Sequence, residues 1–244
     1  MHIINLCRSG NRVPLVPESV AFDILSNMKP SVQDLHSITP YHYVNAGLVG
    51  FKHFHMLLNA LLSDLNNTTI TDVNRTYASV LFKGHGKDRT SAKSYRTIST
   101  CPLVAKGLDL YIRKMCVSYW NEDQSPVQFQ GEGSSHELAA LLLSECVQYT
   151  RYSLKKPLYV LYLDARSAFD VVQREILIKN LYHVQDCSQV LLHIDNRLAH
   201  RETIVDWNGN MMGPISDQQG LEQGGCNSSD YYKIYGKETL TLPQ

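Results

Sequence analysis

Residues 158–177 read LYVLYLDARSAFDVVQREIL. The apolar run at 158–163 has the length and composition of a buried strand. It runs straight into Asp164, and a helical pattern resumes behind it to about Tyr182. Asp164 is therefore expected at the C-terminal tip of a strand, on the rim of a sheet. A carboxylate in that position is costly without a partner. Two partners compete for it. One is a divalent cation, whose preference for hard oxygen ligands suits a carboxylate. The other is the set of free amides at the start of the next helix. Asp170 is expected in the early turns of that helix, where the dipole favours a negative charge. Phe169 is either core or a wall beside whatever the cation holds.

The surroundings narrow the choice. The chain has 244 residues, 43% hydrophobic and 19% charged, which suits one large domain or two small ones. Its formal net charge is zero, but the charge is unevenly spread. Residues 83–114 carry eight Lys or Arg against Asp88 and Asp109, and from residue 115 onward ten basic residues face sixteen acids. A basic segment followed by an acidic one suits a protein that grips phosphate in one place and cations in another. The six cysteines show no metal-ligand spacing. They read as free thiols, without disulfides, in a reducing compartment. The N-terminus lacks a signal-peptide plan, and no apolar run approaches the ~20 residues that cross a bilayer. The expected setting is intracellular, cytoplasmic or nuclear, away from membranes.

Residues 1–43, with prolines at 14, 17, 30 and 40, read as a weakly structured lead-in. Residues 44–65 are helical in pattern, with Phe51, Phe54, Leu58, Leu61, Leu62 and Leu65 on one face. His53 and His55 form an HxH pair there, but i and i+2 diverge on a helix, which favours ordinary helix histidines over a metal site. A strand is expected at 77–82, a polar Gly/Lys loop after it, and a short strand at YRTIST. Pro102 opens an amphipathic helix. Ser134 and Glu137 fit a capping box for the helix behind them. Residues 188–201 suggest another helix, or a helix passing into a strand, Asn208-Gly209 a hairpin turn, and residues 228–240 a last helix.

Two further constellations accompany Asp164. The loop at 83–96 offers Lys83, Lys87, Arg89, Lys93 and Arg96, cations suited to a triphosphate or a nucleic-acid backbone, though a solvated hairpin has the same composition. GLEQGGC, residues 220–226, lets the backbone approach a flat ligand, with Gln223 available to hydrogen-bond it.

In their order and spacing these segments resemble the reverse transcriptase domain of non-LTR (long interspersed element type) retrotransposons. SYRTISTCPLVAKGLDLYIRK is similar to that family's NYRPIS segment and helix. QFQGEGSSHELAALLL is similar to its QxGFxxGxSTxxAL segment, YLDARSAFDVVQREIL to its first catalytic motif, and GLEQGG to its G-x-x-QG motif. The resemblance covers about four-fifths of the chain. It implies an α+β fold, with right-hand polymerase fingers plus a partial palm built of mixed helices and a small, mostly antiparallel sheet. It implies fingers over 44–157 and a partial palm over 158–244, without a thumb. It also implies RNA-directed DNA synthesis from dNTPs on an RNA template and a DNA primer, with Mg2+ (or Mn2+) as cofactor. Asp164 and the carbonyl of Ala165 would hold metal. Lys83, Lys87, Arg96, Phe169, Gln223 and Gly224 would contact the nucleotide, with Phe169 as the gate against a 2′-hydroxyl. Arg89, Lys93, Lys106, Arg113 and Lys114 would contact nucleic acid. One departure matters: the sequence contains no Asp-Asp dipeptide, and the family's second catalytic carboxylates lie in such a pair. The expectation is a retroelement-derived fragment, truncated before that motif and inactive alone. A non-catalytic nucleic-acid-binding remnant and a Mg2+-dependent phosphohydrolase are the alternatives.

Overall fold

A computed structural model describes residues 2–29, 33, 34, 36–64, 71–84, 86–122, 135–162, 165, 167–184 and 188–240. Among them are nine α-helices and a single four-stranded sheet, a mixed α+β arrangement. The chain opens with α1 (His2–Arg8), α2 (Glu18–Asn27), α3 (Pro40–Asn45) and α4 (Gly47–Ser63). Strand β1 (Arg75–Phe82) turns back into β2 (Tyr95–Thr100), followed by α5 (Leu103–Glu122) and α6 (His136–Gln148). A π-helical turn at Tyr149–Leu154 ends α6. Then come α7 (Arg174–Val184), α8 (Ser188–Ala199), β3 (Glu202–Trp207), β4 (Asn210–Ser216) and α9 (Ser228–Leu240).

The sheet order is β2-β1-β3-β4. The two hairpins are antiparallel, and β1 joins β3 in parallel from Arg75↔Glu202 to Ser79↔Asp206. Ion pairing supports that junction, with the Arg75 guanidinium 3.0 Å from Glu202. The β3–β4 turn is the expected Asn-Gly pair, with φ of 53° at Asn208 and 81° at Gly209. Both central residues thus take the positive φ that matches the twist of the flanking strands. The amide of Gly209 donates to Asp206 Oδ1 at 2.8 Å.

The core is helical. Phe54, Leu58, Ile112, Trp120, Leu177, Leu181 and Leu191 are buried in one apolar cluster. Each such side chain contributes roughly 1.5–3 kcal/mol through burial. Gly107 lets α5 approach α4 closely, since a β-carbon there would stand 2.8 Å from the Phe54 ring. The first turn of α5 is capped from a distance, with the amide of Leu103 donating to Asp34 Oδ2 at 3.0 Å.

Several expectations are corrected. Residues 1–43 are no loose lead-in. Helix α1 packs on α8, and α2 packs on α4 and α5. Cys7, Ala21, Ile24 and Leu25 belong to the core. Proline spacing signals breaks between short helices as readily as the absence of helix. Ser135 caps α6, accepting from the amide of Leu138 at 3.2 Å, whereas Ser134 of the expected capping box lies outside the described residues. His55 is tied to the carbonyl of Val16 at 2.8 Å, and His53 stacks on Tyr43.

The largest correction concerns the opening stretch. Residues 158–162 join no ladder and stand in solvent, Tyr159 at 88% and Leu161 at 81% exposure. Strand propensity describes fitness for a half-buried, paired surface, and a strand forms only where a partner meets it. The described residues place no partner there. Leu163 and Asp164 lie outside the described residues.

Candidate functional site: a basic and aromatic recess

Segments distant in the sequence meet at one recess of about 610 Å³. Strand β2 and the end of β1 supply Arg96, Tyr95 and Lys83. The turn at 167–171 supplies Phe169 and Asp170, and the glycine-rich loop supplies Gln223. Lys83, Arg96, Phe169 and Gln223, named from sequence as nucleotide contacts, therefore line one cavity although they span 140 positions of chain.

The convergence is held by backbone bonds. The amide of Ser99 donates to the carbonyl of Gln223 at 2.8 Å, tying the glycine-rich loop to β2. The amides of Gly220 and Leu221 donate to the carbonyls of Val172 and Phe169, both at 2.9 Å, tying the same loop to the 167–171 turn. Gly220 and Gly224 have φ of 86° and 113°, a region that favours glycine. The Phe169 ring packs edge-on against Tyr232 of α9, with centroids 5.4 Å apart. Asp170 sits in the turn before α7 rather than inside the helix, its amide donating to the carbonyl of Ser167.

Glu222, the neighbour of Gln223 in the glycine-rich loop, joins a knot of buried charge that sequence reading missed. Arg197 of α8 stands 3.3 Å from Asp109 of α5 and 3.8 Å from Glu222 of the glycine-rich loop. Its guanidinium also donates to the carbonyl of Val73 at 2.8 Å. Burial opposes the Arg197 charge, but Asp109 and Glu222 outweigh it and raise its pKa. Burial likewise pushes the Glu222 carboxyl up, against the pull of Arg197. The far end of the loop is anchored by Asp217, which accepts from Arg201 at 2.7 Å and from Thr203 at 2.6 Å. No local pattern announces such a cluster, because its members come from three distant segments.

The remaining predicted residues divide. Lys87, Arg89 and Lys93 are exposed on the β1–β2 connection. The Lys83 ammonium donates to the carbonyl of Lys93 at 2.9 Å, bracing that connection. Lys106 and Gly224 line a separate 340 Å³ cavity beside Asp34 and Cys101. Arg113 and Lys114 are paired with Asp230 and Asp23, both at 2.9 Å. Ala165 is exposed, and Asp164 lies outside the described residues. Trp207, Val80 and Thr97 also line the recess. Of these only Trp207, a large aromatic beside a hairpin turn, carried a sequence signal.

The described lining does not fit a resident metal. Asp170 is its one carboxylate, and no group of three His, Cys, Asp or Glu side chains among the described residues is placed to hold an ion. Cys7, Cys101, Cys116, Cys146 and Cys226 are free, and burial pushes the Cys226 thiol up to about 11. No described helix is long and apolar enough to cross a membrane. No protein-family model matches the sequence, and no curated protein matches it significantly.

Proposed function

We propose that the chain forms the fingers and part of the palm of a reverse transcriptase, and that the recess binds a deoxynucleoside triphosphate. The supporting observation is the convergence of Lys83, Arg96, Phe169 and Gln223 on one cavity. Two cations at one end suit polyphosphate oxygens. Phe169 presents an apolar wall where a sugar would lie, and Gln223 offers a donor and an acceptor to a base. Mg2+ or Mn2+ would arrive with the triphosphate and neutralise part of its charge. The sequence has no Asp-Asp pair, so the property proposed for residues 1–244 is nucleotide and nucleic-acid binding without processive synthesis.

The test is a titration of the purified chain with Mg2+–dTTP and Mg2+–UTP, alongside a primer-extension assay. The expected result is saturable dTTP binding, weakened about tenfold or more in Arg96→Ala, since a charge-assisted contact contributes roughly 1.5–3 kcal/mol. Phe169→Val should narrow the preference for dTTP over UTP. Binding indifferent to both changes would overturn the nucleotide reading, and processive extension would overturn the claim that the chain is inactive.

A further inference from the structure

A second recess lies across the wall formed by Tyr95 and Trp207, which line both cavities. It measures about 260 Å³ and is lined by Val80, Phe82, Arg89, Tyr95, Trp207 and Asn208. Phe82 and Tyr95 are cross-strand partners, with ring centroids 5.3 Å apart. Trp207 continues the row, 4.8 Å from Tyr95. The Arg89 guanidinium stands over the Phe82 ring at 5.1 Å. The Tyr95 hydroxyl donates to the carbonyl of Arg89 at 2.9 Å, which holds the loop against the rings.

The cluster is placed where packing alone gives little reason for it. It sits at the turn end of the β1–β2 and β3–β4 hairpins, outside the helical core, and Trp207 remains 38% exposed. Exposed Lys87 and Lys93 lie on the same connection as Arg89. Aromatic faces accept any base by stacking, and nearby cations track the phosphates between bases. A mononucleotide already has a recess across the wall. A chain of nucleotides would bring bases and phosphates to both features at once.

We propose that this aromatic recess stacks an unpaired base of single-stranded nucleic acid, with Arg89 and the neighbouring lysines meeting the adjoining phosphates. The inference rests on the nucleotide-binding reading for its biological sense, but it is tested separately. Phe82 and Arg89 line only this recess, whereas Arg96 and Phe169 line only the other.

The experiment is fluorescence anisotropy of labelled short oligo(dT) and oligo(rU), single-stranded and as duplexes, with dTTP titrated in parallel. Single strands should bind better than duplexes. Trp207→Ala and Phe82→Ala should each weaken single-strand binding about five- to a hundredfold, the range expected for one lost stacking contact. Trp207→Phe should restore most of it. Arg89→Gln, an exposed change that leaves the fold intact, should flatten the salt dependence and leave dTTP binding unaltered. Single-strand affinity unchanged in Trp207→Ala and Arg89→Gln would overturn the inference, as would equal affinity for duplex. Loss of dTTP binding with strand binding retained would instead count against the nucleotide reading alone.

Discussion

The amide of Leu221 donates to the carbonyl of Phe169 at 2.9 Å. Through this bond, and the Ser99–Gln223 bond on the other side of the loop, the glycine-rich segment braces two walls of the recess that Lys83, Arg96, Phe169 and Gln223 line. The recess is therefore as well defined as residues 220–224 are.

Those glycines should tolerate no side chain. A β-carbon on Gly220 would stand 2.9 Å from the carbonyl oxygen of Asp170, and one on Gly224 would stand 2.8 Å from that of Ser99. Both contacts are with backbone, at positive φ. Gly220→Ala and Gly224→Ala should each cost about 1–3 kcal/mol. Urea denaturation reads the loss, and dTTP titration of the variants should show weaker binding even where the fold is retained.

How much of this was legible beforehand depends on how local the signal is. The strand ending at Phe82, YRTIST and the Asn208-Gly209 turn were readable, because residue type and φ requirement act within a few positions. The helices holding Phe54, Leu58, Leu177 and Leu181 were readable from apolar spacing. Helix α1 was not, since it is seven residues long and its place rests on packing against α8. The run at 158–162 misled for the converse reason, as its composition suits a strand but pairing decides. For the site, the resemblance picked out Lys83, Arg96, Phe169 and Gln223, but Arg197, Asp109 and Glu222 converge only through the fold.

Removing the centre of that buried cluster should be severe. Arg197→Ala would leave Asp109 and Glu222 facing each other in the interior, a loss of roughly 3–5 kcal/mol. Glu222→Gln should cost much less, because burial has already pushed that carboxyl up and Asp109 still pairs with Arg197. Denaturation midpoints of the two variants test the order. A Glu222→Gln variant as unstable as Arg197→Ala would contradict it.

Acid should destabilise the chain through His193. Burial holds its imidazole down to about 4, against a bond with the Leu62 backbone and the charge of Asp64. Between pH 6.5 and 4 the unfolded chain takes up a proton at His193 that the folded chain refuses. The neutral-state stability is thus full above about 6.5 and falls as pH drops, by on the order of 3 kcal/mol from this group. Unfolding free energies of the parent and of His193→Leu, measured across that range, should converge in slope only if another group carries the dependence. The expected result is a shallower fall in the variant.

The exposed apolar run at 158–162 makes concentration a variable of state for this protein. Its backbone amides and carbonyls join no ladder, so two molecules meeting there gain bonds that neither makes alone. Encounters rise with the square of concentration while folding does not. A dilute sample and a concentrated one, identical in sequence, should therefore age differently.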